Sequence, residues 1–263
     1  MSHLQRFTFA ASLVAAALSL AVFAASASAQ STIAQVTNGG AGNYNLDNVQ
    51  VEAILDSYKG NDTIVLQDST GSIIDYSLPN TTYTPTVGDY ISITATNAPY
   101  QDGAELTGST TALTALPVHG TASTPLVLTI PEFNAATAGA NGTTNFGTPP
   151  NVESIVTLDN VTFTDATSPL GNKKDYTIED SSDNQATLYT YGTYSNVAIG
   201  DAQINSILAA GGVNQPMDIT GYVDNYFGSS ELYPLSAVAV PEPGCIALAA
   251  FGGLALIRRR RRA

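Results

Sequence analysis

The tetrapeptide LDNV occurs as Leu46-Asp47-Asn48-Val49 and again as Leu158-Asp159-Asn160-Val161. Its recurrence decides the architecture, because the two copies do not stand alone. The same offset of 112 residues lays Asp68-Ser69 on Asp180-Ser181, and apolar Ile64 and Leu66 on Tyr176 and Ile178. Further along the offset becomes 126, placing Ile93-Thr94 on Ile219-Thr220, Tyr100 on Tyr226 and Glu105-Leu106 on Glu231-Leu232. Upstream, Thr32-Ile33 resembles Thr129-Ile130, each opening a short lead-in segment. Four ordered blocks with two consistent offsets are a duplication.

The repeated unit is built of strands. VQVEAIL, TIVLQD and YISITAT in the first copy, and SIVTLDNVTFTD, YTIED, ATLYTY and MDITGYV in the second, alternate with period two. They are rich in β-branched and aromatic residues and are separated by Asn, Asp and Gly turns, the signature of short antiparallel strands. Five strands fit each unit. The 14 residues that change the offset fall in or near SNVAIGDAQINSILAAGGV. There Asp201 is placed to cap a helix, Ile204, Ile207 and Leu208 share one face, and Gly211 ends it. In the first unit that helix shrinks to the turn Pro85-Thr86-Val87-Gly88-Asp89. Three strands, a helix and two strands is the order of a five-stranded OB barrel; a β-sandwich is the competing arrangement.

The blocks LDNVTF, YTIEDSSDN and DITGYVDNYFGSSELYPLS resemble the OB-fold modules of secreted bacterial proteins, over most of residues 31–240. The expected fold is therefore all-β: two tandem five-stranded OB-like barrels, the second with a short helix. The first module spans 31–117 and the second 125–240. The intervening 118–150 reads as linker and lead-in, with Gly, Asn, Thr and Pro crowded into 138–150.

Both ends read as addresses. Arg6, then an apolar run, then Ala27-Ser28-Ala29 in the A-x-A pattern predict a secretory signal over residues 1–29, cut after Ala29. At the C-terminus Val240-Pro241-Glu242-Pro243 precedes the uncharged stretch Cys245 to Ile257 and five arginines, Arg258, Arg259, Arg260, Arg261 and Arg262. Thirteen residues at about 1.5 Å each make a helix of roughly 20 Å, shorter than a hydrocarbon core of about 30 Å. The arginines hold the cytoplasmic side and leave everything upstream outside. The three parts in this order resemble the PEP-CTERM sorting tail, here 241–263 with its transmembrane helix. That resemblance implies recognition by an exosortase, a membrane protease that processes the chain near Pro-Glu-Pro, after export through the Sec translocon. It also implies transient attachment to the inner membrane and final residence in the cell envelope, at the cell surface or in the extracellular matrix.

Residues 30–240 hold three cations, Lys59, Lys173 and Lys174, against 21 acidic residues, a formal charge of −18. Such a field repels nucleic-acid phosphate. The single cysteine, Cys245, lies in the tail, so the exported part is held by its core alone. Catalytic equipment is sparse. His119 is the one exported histidine, no G-x-S-x-G elbow occurs, and residues 30–240 hold no arginine to clamp a phosphoryl group. The sequence therefore predicts no enzyme and no organic cofactor. In the turn EDSSDN, Asp180, Asp183 and Asn184 offer hard oxygen ligands that suit Ca²⁺, while the same residue types serve hairpin turns. All 13 tyrosines are exported, and Tyr189, Tyr191 and Tyr194 of LYTYGTY are candidates to stack on sugar rings. The expected function is a non-catalytic binding or structural module that meets a neutral polysaccharide or a surface protein. The alternative is an accessory nucleic-acid-binding module or a weak secreted hydrolase.

Overall fold

The computed structural model describes residues 30–241, apart from 59–60, 80–82, 100–103, 108–111, 122, 136–153, 167 and 227. The signal residues Ala27 and Ala29, Glu242, Pro243 and the arginine cluster lie outside the described residues. Among the described residues, no helix is long and apolar enough to cross a membrane.

The first sheet contains β1 (Gly42–Tyr58), β2 (Asn61–Asp68), β3 (Gly71–Pro79), β4 (Asp89–Asn97), β5 (Glu105–Leu106) and β6 (Ala112–His119). Its order is β1-β2-β3-β5-β4-β6, and β4 also pairs with β1, which closes a five-stranded barrel. Closure depends on the 17 residues of β1. Gly42 to Gln50 run antiparallel to β4, and Gln50 to Tyr58 run antiparallel to β2. A strand that changes partner must bend, and register shifts between Leu46 and Val49, Val51 and Ala53, and Ile54 and Asp56 supply the bends.

The second sheet contains β7 (Leu126–Leu128), β8 (Ile155–Phe163), β9 (Lys174–Glu179), β10 (Gln185–Thr190), β11 (Met217–Tyr226) and β12 (Ser229–Ala239). It runs β11-β12-β10-β9-β8-β7, with β11 also paired to β8. The duplication reappears in the pairings. Leu46 faces Ile93 and Val49 faces Ile91 in the first sheet; Leu158 faces Ile219 and Val161 faces Met217 in the second. Both LDNV copies are thus one device, a bulge in a leading strand. Each asparagine takes the left-handed conformation there, Asn48 at φ 57° and Asn160 at φ 54°, which asparagine adopts more readily than most residues.

Each sheet has six strands rather than the expected five, because β6 adds antiparallel to β4 and β7 adds parallel to β8. The two lead-in segments are short helices, α1 (Ile33–Gly39) and α2 (Ile130–Ala135). Thr32 caps Gln35 and receives its side chain in return, and Thr129 with Glu132 does the same, so both begin with a capping box. They drive Ile33 and Val36, or Ile130 and Phe133, into the neighbouring core. The expected linker 118–150 therefore carries the end of β6, all of β7 and α2. Its Gly-rich part lies outside the described residues.

The helix between β10 and β11, α3 (Ser195–Gly211), starts six residues before the predicted Asp201. Its start is tied to the other sheet. Ser195 donates its backbone N–H to Asp56 Oδ1 at 3.0 Å, and Asn196 Nδ2 donates to the Ile54 carbonyl at 2.5 Å. Asp201 lies within the helix, and burial pushes its carboxyl up to about 7. The helix can lie against β12 because position 200 is glycine, whose missing Cβ would collide with the Pro234 carbonyl oxygen.

Two clusters of apolar side chains fill the two sheets, and a third joins them. In the third, Ala53, Leu55, Val65 and Ile74 of the first sheet meet Ile155 and Tyr222 of the second. Leu55, Val65 and Ile74 are almost wholly buried. At up to about 1.5–3 kcal/mol for each fully buried side chain, these residues tie the two sheets together. The halves form one structural unit.

Candidate functional site

The joint between the sheets leaves a cleft of about 170 Å³ walled by tyrosine. Strand alternation places its residues. Leu188 and Thr190 of β10 point inward and are buried, so Tyr189 and Tyr191 take the outer side. On β11 and β12, Val223 and Leu232 enter the core as register partners, which turns the flanking pairs Tyr222–Tyr233 and Asp224–Glu231 outward together. Tyr194 stands at the start of α3. The opposite wall comes from the first sheet, through Leu55, Ile74, Tyr76 and Glu105.

The rings form a connected cluster. Tyr191 lies edge-on to Tyr194 with centroids 4.5 Å apart, and Tyr189 is tilted against Tyr233 at 5.2 Å. Tyr222 and Tyr233 meet at 6.0 Å and 63°. Only Tyr189 and Tyr191 approach a parallel stack, at 25°. Lys173 holds its Nζ 5.0 Å from the Tyr191 ring centre, a cation–π contact.

Carboxylates gather against this cluster. Burial first, then repulsion from Asp224, pushes Glu105 up to about 7. Burial, followed by Asp175 and Asp224, does the same to Glu231. Asp224 is also raised by burial, partly offset by a hydrogen bond from the Tyr233 hydroxyl. Burial and the neighbouring acids raise Tyr233, Tyr194 and Tyr76 well above the ordinary phenol range. All these shifts share one sense. The cleft resists negative charge and concentrates the groups that carry it.

The residues predicted from sequence fall in several places. Tyr189, Tyr191 and Tyr194 all line the cleft. Their partners carry no local signal: those of β11 and β12 reach them through strand pairing within the second sheet, and those of β3 and β5 only through the packing of one copy on the other. The proposed calcium ligands form a turn at the far end of β9 and β10. Asp180 accepts from the Ser182 and Asn184 backbone N–H groups and from Asn184 Nδ2, so donors already fill its oxygens. Asp183 is at φ 61° and exposed. Among the described residues, no three His, Cys, Asp or Glu side chains gather to hold a metal ion.

His119 ends β6, with Nδ1 2.7 Å from Asp89 Oδ1. Burial acts against ionisation of Asp89, but bonds from Tyr83, His119 and Thr86 outweigh it and hold the carboxyl well below its usual range. Among the described residues, no serine, cysteine or second acid is bonded to this pair, which ties the β6 terminus to the start of β4. Val240, first residue of the expected sorting motif, is fixed to the loop before β11 through bonds with Pro216 and Gln215; Pro241 follows, exposed.

A second recess beside α2 is lined by Asn134, Thr177, Gln185 and Ser229 among others, with neither an aromatic ring nor a titratable group among the described residues. The tyrosine cleft is the stronger site. Compared with known proteins, the chain matches no family model and no curated sequence.

Proposed function

We propose that the chain is an exported cell-envelope protein built of two tandem OB-like barrels, which binds a polymer or surface partner without catalysing a reaction. The single observation that supports binding is the tyrosine-walled cleft at the joint between the copies. Aromatic walls with a few polar groups are the usual composition of a ligand pocket. The signal at 1–29 and the PEP-CTERM-like tail at 241–263 support delivery through Sec and an exosortase. The charge of −18 over residues 30–240 argues against nucleic acid.

Glu105 and Asp224 give the hydrolase reading one specific support, because two carboxyls flank the same cleft. Acid–base pairs divide the work by having their proton affinities driven apart. Here Glu105, Asp224 and Glu231 are all driven upward. Binding fits better than turnover.

Two measurements test the proposal. Intact mass of the protein recovered from its own cells is expected to lack residues 1–29 and the arginine cluster; a mass retaining both contradicts delivery by this route. Polysaccharide from the same envelope is expected to be retained without cleavage. Steady release of reducing ends would replace the binding reading with the hydrolase.

A further inference from the structure

The geometry points to an organic ammonium group as what the cleft recognises, whether a quaternary amine or the protonated amine of an amino sugar. The inference rests on the reading of the cleft as a binding site and specifies its ligand chemistry. Ring orientation is the first support. Apart from the Tyr189–Tyr191 stack at 25°, the rings meet steeply: Tyr191–Tyr194, Tyr222–Tyr233 and Tyr189–Tyr233 lie at 70°, 63° and 57°. Rings set at such angles turn faces and edges around a compact volume. Their electron-rich faces attract a cation more strongly than an uncharged group of the same shape.

The second support is the placement of charge. Asp224, which lines the cleft, has Glu231 as its direct partner across β11 and β12, a position at which like charges repel. Glu105 reaches the same cleft from β5 of the other sheet. Among the described residues, neither Lys173 nor Lys174 forms an ion pair with any of the three; the ion pair found there is Asp89–His119. An incoming ammonium would relieve a repulsion that the fold leaves standing. Lys173 over Tyr191 shows that the rings accept a cationic group. The surrounding charge would also concentrate cations near the opening.

Titration calorimetry of the full-length protein in mild detergent tests this with two matched pairs of probes. Choline is paired with 3,3-dimethylbutan-1-ol, which has the same shape without charge. A glucosamine oligosaccharide is paired with its N-acetylated, neutral counterpart. At least one charged probe is expected to bind about tenfold more tightly than its neutral partner, a difference of about 1.4 kcal/mol. Choline alone would identify a quaternary amine, and the glucosamine oligomer alone an amino sugar. Tyr191→Leu and Glu105→Gln are each expected to reduce the preferred affinity about tenfold, with thermal melting confirming that each variant folds. Equal binding within both pairs would overturn the ammonium inference and leave the binding site standing. No binding by any of the four would overturn the inference, while retention of envelope polysaccharide separately decides the binding reading.

Discussion

Asn48 and Asn160 occupy the same backbone conformation at the same point of two separate sheets, with φ values of 57° and 54°. Around them the copies have diverged while keeping the geometry. In the first, the Asn48 N–H meets Ser92 Oγ at 3.4 Å, and Ser92 in turn donates to Asp47. In the second, the Asn160 N–H meets Asp218 Oδ1 at 2.8 Å. Ser92 and Asp218 are related by the same 126-residue offset as the strands that carry them. Glycine at either asparagine is expected to be nearly neutral. Alanine is expected to cost about 1 kcal/mol at each site, from the left-handed penalty on a side chain that cannot bond locally. Chemical denaturation of the four single variants checks this, and widely unequal alanine effects would argue against an equivalent bulge.

Stability should fall as pH rises from about 5 to 8. Burial raises Glu52, Glu105, Asp201 and Glu231 to about 7. Between their ordinary values and 7 the folded chain binds more protons than the unfolded chain. Their contribution is therefore complete below about pH 4 and disappears as pH rises through 7. Asp89 acts in the opposite sense: its lowered value adds stability above its ordinary value, lost as pH falls through the depressed one. The optimum lies between these effects, and a Tm roughly 5 °C lower at pH 8 than at pH 5 is expected.

Glu52 is the most informative member of that group. It accepts from Ser72 Oγ at 3.1 Å and Ser123 Oγ at 3.2 Å, and a backbone hydrogen bond reaches it from Ile155 of the second sheet. Glu52→Gln removes the charge and retains the shape. It should flatten the decline above pH 6, measured by thermal melting across pH, and leave the melting temperature at pH 5 little changed. An unaltered slope would mean that the other acids carry the effect.

The start of α3 gives a test of coupling between the halves. Asp56→Ala removes the acceptor for Ser195 N–H and should cost about 1 kcal/mol, as loss of a helix cap does. Gly200→Ala is expected to cost about 1–3 kcal/mol, because a methyl group there displaces the Pro234 backbone. Both should lower a single cooperative transition. Two resolved transitions would show that the sheets melt independently and that the joint is weaker than its buried side chains imply.

What could be read from the sequence was local. Alternation in ATLYTY and MDITGYV located β10 and β11, and the two LDNV copies located one bulge twice. Features decided by distant contacts were hidden. Asp201 resembled a cap, but the true start of α3 is satisfied by Asp56, 139 residues away in the chain. Residues Asp62 to Leu66 are buried on both faces of β2, since the second sheet covers Val65 from outside. That unbroken burial left a trace in the run Ile64-Val65-Leu66, which departs from half-buried alternation. Three of the cleft's tyrosines, Tyr189, Tyr191 and Tyr194, were visible in LYTYGTY. Tyr76 and Glu105 join it only because one copy packs on the other.

The chain has no tryptophan among its residues, and among the described residues seven tyrosines line the cleft, so its intrinsic fluorescence reports strongly on this site. Titrating the protein with soluble polysaccharide from its own cell envelope, while following tyrosine emission, tests the central claim most directly. A saturable change that disappears in Tyr191→Leu is the expected result. Emission that stays constant throughout, or changes identically in the variant, would contradict a ligand in the cleft.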